Sequence, residues 1–294
     1  MESGTYAFQM DAPVAYPPRR VVSLVPSTTE SLFDLGVGDR LVGITDYCVY
    51  PQAQTARLPH IGGTKNPDIE RIISLNPDLV VANQEENRRE DVEKLRDAGI
   101  AVWVTFPKTV RESLNLLWAI MEVFDEASMV ERVRAVEWTC DWLERLAEQS
   151  EGNELRVFAP IWFDPLMTFN RDTYMHDLLR ICGAVNVFAG RERLYPLAAD
   201  LGQAEPLALD DPKIKDHDTR YPRITLDEVI NAQPDIILLP DEPFAFDETH
   251  REQFLALDIP AARSGRIHLM DGSLLTWHGT RIAHAFQDLP SLLY

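Results

Sequence analysis

The strongest constraint on what this chain can fold into is an internal repeat. Residues 69–81 (IERIISLNPDLVV) align without a gap on residues 226–238 (LDEVINAQPDIIL). Each copy places an acid in the first helical turn, Glu70 in one and Asp227 in the other. An apolar helical face, a Pro-Asp turn and an apolar strand follow in both. Short helix-turn-strand units resemble one another by chance, but chance does not explain a matched acid together with a matched turn. Two lobes of one design are expected, and 294 residues is the right length for two domains of ordinary size.

The pattern around the repeat is that of a parallel sheet. VVSLV (21–25) reads as a buried strand, followed by Ser27-Thr28-Thr29-Glu30, whose spacing is that of a capping box for a helix stopped by Gly36. LVGIT (41–45) is a second strand, and Asn66-Pro67 is expected to open a helix. DLVVA (78–82), a solvated helix over 85–97 and IAVWV (100–104) continue the alternation, which implies an α/β lobe over 20–108. From Thr109 to Gln149 no Gly or Pro interrupts the chain. Apolar residues at helical spacing predict at least one long helix there, its second part (126–149) spanning about 36 Å, enough to join two lobes. Trp138 and Trp142 lie one turn apart in it and are read as core. A second α/β lobe over 151–294 follows, with strands at 155–160, 235–239 and 266–270 and helices near 172–182 and from Thr225. The last helix is expected to pack back toward the linker or the first lobe. Residues 191–222 carry no assignable pattern. The fold class is therefore α/β: two Rossmann-like parallel-sheet lobes bridged by a long helix, with a ligand cleft between them beyond the carboxyl ends of the strands.

Composition narrows the function. Lys plus Arg total 28 against 47 Asp plus Glu, a net charge of −19, which repels nucleic acid and anionic lipid. The acidity itself is read as a solubility device, with recruitment of a cationic ligand as the alternative. Cys48, Cys140 and Cys182 form no C-x-x-C pair and suggest neither a disulfide framework nor a structural zinc site. The N-terminal run MESGTYAFQMDAPVAYPPRR lacks the basic and apolar regions of a secretory signal, so the chain as written is expected in the cytoplasm. No stretch of eighteen apolar residues predicts a transmembrane segment.

Four runs carry a family resemblance over about Arg20 to Leu293: RVVSLVPSTTESLFDLGVGDRLVGITDYCVYP, IGGTKNPDIERIISLNPDLVVANQEEN, PLMTFNRDTYMHDLLRICGAVNVF and ITLDEVINAQPDIILLP. Together they resemble the helical-backbone (class III) substrate-binding proteins of ABC importers, closest to the vitamin B12-binding and metal-receptor-like branch. That resemblance implies a non-enzymatic receptor, expected to be monomeric, for a cobalamin-like, haem or ferric-chelate ligand, with no intrinsic cofactor. It also implies that Glu70 and Asp227 dock onto an ABC permease, although a first-turn acid equally stabilises its own helix. The family role is extracytoplasmic, in tension with the N-terminal run. A cytosolic carrier or sensor of the same ligands is the alternative class.

The strand-end loops hold the candidate ligand residues. Aromatic side chains suited to stacking on a flat ligand are Tyr47, Tyr50, Trp162, Phe163, Tyr221 and Trp277. Polar candidates are Ser27, Thr28, Asp46, Lys65, Asn83, Glu85 and Glu242, with Cys48 and His278 able to approach a metal held by a chelator. Backbone N–H groups at the Ser27 helix start could receive an anionic group. Glu85 and its neighbour Glu86 also fit as first-turn acids of the following helix, and His176 fits as a packed or capped histidine. The seven histidines show no metal-ligand spacing, so no preformed metal site is expected. An enzyme would need Cys48 as nucleophile with a histidine, an arrangement matching no motif.

Overall fold

The computed structural model describes residues 16–149, 152, 155–208, 210–214 and 217–294, so most of the N-terminal run read above for a signal lies outside the described residues. The chain divides into two compact units. Unit 1 holds the residues up to Pro107, Arg111–Glu137 and Trp277–Ile282. Unit 2 holds Lys108–Val110, Trp138–Thr276 and Ala283–Tyr294.

Unit 1 is built on β1 (Val21–Ser23), α1 (Pro26–Asp34), β2 (Leu41–Ile44), α2 (Gln52–Thr55), the short antiparallel pair β3 (Gly62–Gly63) and β4 (Asn66–Pro67), α3 (Ile69–Ser74), β5 (Leu79–Asn83), α4 (Arg89–Asp97), β6 (Val102–Thr105) and α5 (Val110–Val123). Its parallel sheet has the order β2-β1-β5-β6. The central strand β5 is buried along its whole length, as expected of a strand with helices on both faces. Val22, Leu24, Ile61, Ile72, Val80, Leu95 and Val102 form the core around it.

Unit 2 continues through α6 (Val130–Gln149), inside which the division of units falls, to β7 (Leu155–Phe158), α7 (Tyr174–Ile181), β8 (Ala184–Asn186), α8 (Leu226–Ala232), β9 (Ile236–Pro240), α9 (Glu248–Leu255), α10 (Pro260–Ser264), β10 (Ile267–Met270), α11 (Ser273–Thr276) and α12 (Ile282–Leu293). Its sheet, also parallel, runs β10-β9-β7-β8. Read from the other edge, this is the order of unit 1.

The repeat holds at atomic detail. Val21 faces Leu79 and Val22 faces Val80 in unit 1; Val157 faces Ile236 and Phe158 faces Ile237 in unit 2. Asp68 caps α3 by accepting from the Arg71 N–H, and Thr225, its aligned partner, caps α8 by accepting from the Glu228 N–H. Asn76 and the aligned Gln233 both adopt left-handed backbone, with φ of 47° and 45°. The Asp of each Pro-Asp turn accepts backbone N–H groups from the strand beside it: Asp78 from Arg19 and Arg20, Asp235 from Arg156. Arg20 and Arg156 in turn donate to the carbonyls of the aligned residues Leu75 and Ala232 at the ends of α3 and α8. These are the groups a helix leaves unsatisfied at its C-terminus.

Several local expectations are corrected. Ser27 does not cap α1: Pro26, which has no N–H to satisfy, takes the first turn, Val25 is the N-cap without a side-chain bond, and Glu30 is engaged elsewhere. Asn66-Pro67 forms β4 rather than a helix start, because Asp68 supplies the cap two residues later. Glu85 and Glu86 precede α4, whose first-turn acids are Glu90 and Asp91. The 109–149 stretch breaks into α5 and α6 at Asp125, which sits at φ 52°. Trp138 and Trp142 are not core: they are 68% and 58% exposed. Helical spacing marks a face of a helix, not what covers it.

Candidate functional site

In unit 1 the polar side chains of α1 are buried because Trp277–Ile282 covers them. Ser27, Thr28, Thr29, Glu30 and Ser31 are all buried. The Gly279 N–H donates to Ser113 Oγ at 2.7 Å and the Thr280 N–H to Ser31 Oγ at 3.1 Å, while Ser31 Oγ donates to the Ser27 carbonyl at 2.8 Å. Gly279 is required there. Its φ is +83°, and a Cβ would stand 2.2 Å from Ser31 Oγ.

This covering segment builds an aromatic and cationic cluster. Arg281 forms a two-bonded ion pair with Glu30, Nε–Oε2 at 2.9 Å and Nη2–Oε1 at 2.7 Å, with both side chains nearly buried. Its guanidinium lies over the Tyr50 ring at 4.5 Å and the Trp277 ring at 5.3 Å. The two rings meet edge to face, centroids 5.9 Å apart. A carboxylate thus holds a cation that holds two aromatic rings. Trp277 is buried and Tyr50 is 40% exposed, so the tyrosine is the ring that solvent reaches.

Beside it, His278 is enclosed. Ser27 Oγ lies 3.4 Å from both ring nitrogens and Asn83 Nδ2 3.5 Å from Nε2. Burial pulls its pKa down to about 4, so the imidazole is neutral at ordinary pH. Asn83 and Asn87 tie the end of β5: Asn87 Oδ1 accepts from the Asn83 N–H, Asn83 Oδ1 accepts from the Glu85 N–H, and Asn87 Nδ2 donates to the Leu24 and Thr64 carbonyls. Lys65 Nζ donates to the Glu85 carbonyl, and burial lowers its pKa against the pull of Glu86 and Glu85. Cys48 is buried, its sulfur 3.1 Å from the Thr29 and Thr45 hydroxyls, and burial raises its pKa. Thr28 Oγ1 is buried with no hydrogen-bond partner among the described residues. Tyr47 is 62% exposed against Gly63, and Asp46 pairs with His60 at 3.3 Å.

In unit 2 the corresponding strand-end loops gather a second aromatic patch. Trp162, 43% exposed, donates its Nε1–H to the Asp164 carbonyl and packs edge to face on Phe244 at 5.5 Å. Phe163 belongs to the packing beneath, against Phe244, Phe246, Phe254 and His250. Glu242 accepts from the Thr276 hydroxyl at 2.6 Å. Tyr221 lies on the run 219–223, with the Arg220 guanidinium 5.2 Å over its ring. That run bonds to the Thr168 and Asn170 N–H groups through the Pro222 and Arg220 carbonyls, and bridges link Trp162 to Met167 and Met167 to Arg223.

Of the residues the sequence offered as candidates, unit 1 brings Tyr50, Trp277, His278, Ser27 and Asn83 together. Sequence reading took Glu30 for a capping residue and overlooked Arg281 and Phe244. The available signal was a run of five consecutive polar residues, Ser27 to Ser31, shortly after an apolar strand; α9 carries a polar run as well, and what sets the α1 run apart is its burial. Glu70 and Asp227 are both exposed on the first turns of α3 and α8. Among the described residues no three His, Cys, Asp or Glu side chains gather to hold a metal ion.

Duplicated parallel-sheet units whose strand-end loops present aromatic rings are an architecture of small-molecule binding proteins. Residues 21–271 match the family described as periplasmic binding protein. The chain belongs to that family. It is 26% identical over 297 aligned residues to an uncharacterized ABC transporter substrate-binding lipoprotein of Bacillus subtilis, covering 98% of this chain and 84% of that one. It is 26% identical over 237 residues to a vitamin B12-binding protein of Vibrio cholerae, covering 78% and 73%. Among solved structures, a periplasmic vitamin B12-binding protein of Vibrio cholerae superposes with a TM-score of 0.73 at 21% identity over 95% of this chain and 98% of that one. A periplasmic haem-binding protein from Roseiflexus sp. RS-1 in apo form gives 0.69 at 24% over 94% and 98%. At these identities the structures establish the shared fold.

Proposed function

We propose that the chain is a substrate-binding protein that captures a flat metal-chelate ligand, a corrinoid, haem or ferric chelate, and presents it to an ABC-type permease outside the cytoplasm. The observation that carries the reading is the Glu30-Arg281-Tyr50-Trp277 arrangement: a buried ion pair fixes a tyrosine ring that stays 40% exposed in the loop after β2, at the carboxyl end of the sheet, where open α/β sheets bind ligands. Trp162 on Phe244 is a second such ring. Ser27 Oγ meets the His278 ring at 3.4 Å, but burial that lowers the imidazole pKa to about 4 makes it a weak base, and burial raises the pKa of Cys48 between its threonine hydroxyls, so neither supports a nucleophile reading. Membership of the family, and relatives named for vitamin B12 and haem binding, support the ligand class. The exposed first-turn acids Glu70 and Asp227 are the proposed permease contacts.

The test is titration of the purified chain with cobalamin, haemin and ferric chelates, followed by tryptophan quenching. Saturable quenching by one of them, weakened about tenfold or more by Tyr50→Ala and by Trp162→Ala, is expected, since base-size aromatic stacking is worth about 1–3 kcal/mol. Silence from all of them, or unchanged affinity in both variants, overturns the reading.

A further inference from the structure

The two solvent-facing tryptophans of α6 belong to a helix face with an order of its own. Val133 and Cys140 on one side of the helix are buried, while Trp138 and Trp142 on the opposite side are exposed. Tryptophan is highly buried on average, and two of them one turn apart make a contiguous apolar patch that water covers at a cost. Because α6 is one continuous helix, the order along that side follows from its geometry alone: residues seven apart return to within about 20° of one another, and residues four apart lie one turn away. Counted from Trp138, Arg134 lies one turn below and Glu131 two turns below, Trp142 one turn above and Arg145 two turns above. All five are exposed.

That order complements itself when reversed. A second copy of α6 running antiparallel, with the two-fold axis at Trp138, sets Trp138 against its own counterpart, Arg134 over the second copy's Trp142, and Glu131 opposite the second copy's Arg145. The two-fold repeats the last two contacts, giving two cation–π contacts and two ion pairs around a tryptophan pair. A parallel pairing instead sets Glu131, Arg134 and Arg145 each against its own like charge, so the charges select the antiparallel one. Within one chain Arg134 donates to Glu131 at 3.3 Å, an exposed contact that uses one carboxylate oxygen. Four tryptophans, each able to bury about 150–250 Å², place such an interface at the small end of specific contacts, so association is reversible and appears at raised concentration. Anionic lipid is a poorer occupant, because a net charge of −19 opposes it.

We propose that this face of α6 is a self-association surface, on which two copies of the chain pair antiparallel about Trp138. The inference goes beyond the ligand-binding reading and does not depend on which ligand is carried. It replaces the monomer that the family resemblance implies.

The test is sedimentation velocity of the full chain from low micromolar to near-millimolar concentration in about 0.15 M salt, where the mutual repulsion of two acidic chains is screened beyond about 8 Å. The wild type shifts reversibly from monomer toward dimer, and Trp138→Ser combined with Trp142→Ser weakens that association about tenfold or more. Glu131→Arg and Arg145→Glu, each alone, weaken it about tenfold, although they move the net charge in opposite directions. An equimolar mixture of those two variants regains it, because each then meets the opposite charge at both ends of the helix pair. No concentration dependence in the wild type, association that survives the tryptophan changes, or charge variants that fail to complement on mixing overturns the proposal. So does a chain that stays monomeric while its tryptophan fluorescence shifts to the blue on phosphatidylcholine vesicles, since the face then belongs to lipid. Should the tryptophan variant fail to fold, the mixing experiment decides alone.

Discussion

Acidification should unfold this chain through His278 in particular. The folded state encloses that imidazole and lowers its pKa from 6.5 to about 4 by burial. In the unfolded chain it takes up a proton near pH 6.5, so protons favour unfolding. The contribution is intact above about pH 6.5 and is lost as the pH falls through 4. Over that window, at about 1.4 kcal/mol per pH unit, the loss comes to about 3 kcal/mol. His278→Gln keeps a polar side chain beside Ser27 and Asn83 but cannot titrate. Urea unfolding followed by tryptophan fluorescence should therefore show the wild type losing about 3 kcal/mol more than the variant between about pH 7 and pH 4. The imidazole resonances of His278 should stay in their neutral positions until close to pH 4. Parallel stability profiles for the two proteins, or a His278 titration near 6.5, would refute the reasoning, because either means that the covering segment Trp277–Ile282 does not exclude water from the ring.

Gly279→Ala is expected to destabilise by about 2–4 kcal/mol, since it forces an L side chain into a φ of +83° against Ser31 Oγ; a thermal melt within about 1 °C of wild type contradicts this. Asn76→Gly should stabilise by up to about 1 kcal/mol by relieving a left-handed backbone, whereas the aligned Gln233→Gly should not, because Gln233 Nε2 donates to the Ile230 and Asp258 carbonyls; equal effects in urea unfolding would be inconsistent with the structure. Glu70→Arg combined with Asp227→Arg should leave chelate affinity within about twofold while abolishing stimulation of a reconstituted permease, and a loss of ligand binding would move these acids into the site.

The scaffold was legible because its signals are local. A first-turn acid, a Pro-Asp turn and an apolar strand sit within a few residues of one another, and the repeat made each copy a check on the other. The site was legible only in part. Tyr50 and Trp277 stand out as aromatic residues, but what fixes them is an ion pair between residues 251 positions apart. No periodicity connects Glu30 to Arg281, and the spacing from Ser27 to Glu30 invites a capping reading that Pro26 pre-empts. Trp138 and Trp142 failed for a related reason: the side of α6 they share is set by helical geometry, whereas their exposure depends on which elements pack there. Residues 191–222 gave no pattern, and where they are described around Arg191–Leu201 the order comes from arginine-carboxylate contacts and a 3-10 turn at Leu197–Leu201 rather than from an apolar stripe.

What the two units share and where they part indicates which layer of the structure carries specificity. The aligned pairs Asp68 and Thr225, Asn76 and Gln233, Asp78 and Asp235, and the strand-entry arginines Arg20 and Arg156, all lie at the amino-terminal edge of a sheet or in the helices that lead into it. Each satisfies backbone groups that any sequence of this fold must satisfy, so each copy repeats the solution. At the carboxyl edges nothing repeats. Unit 1 places an ion pair under Tyr50 and Trp277, and unit 2 places Phe244 against Trp162. Substitutions at the shared edge should therefore register first in unfolding, and substitutions at the divergent edge first in ligand selection. Arg20→Met and Trp162→Ala are a pair for that comparison: the first strips the Leu75 and Asn76 carbonyls of their donor, while the second removes a 43% exposed ring that packs on Phe244.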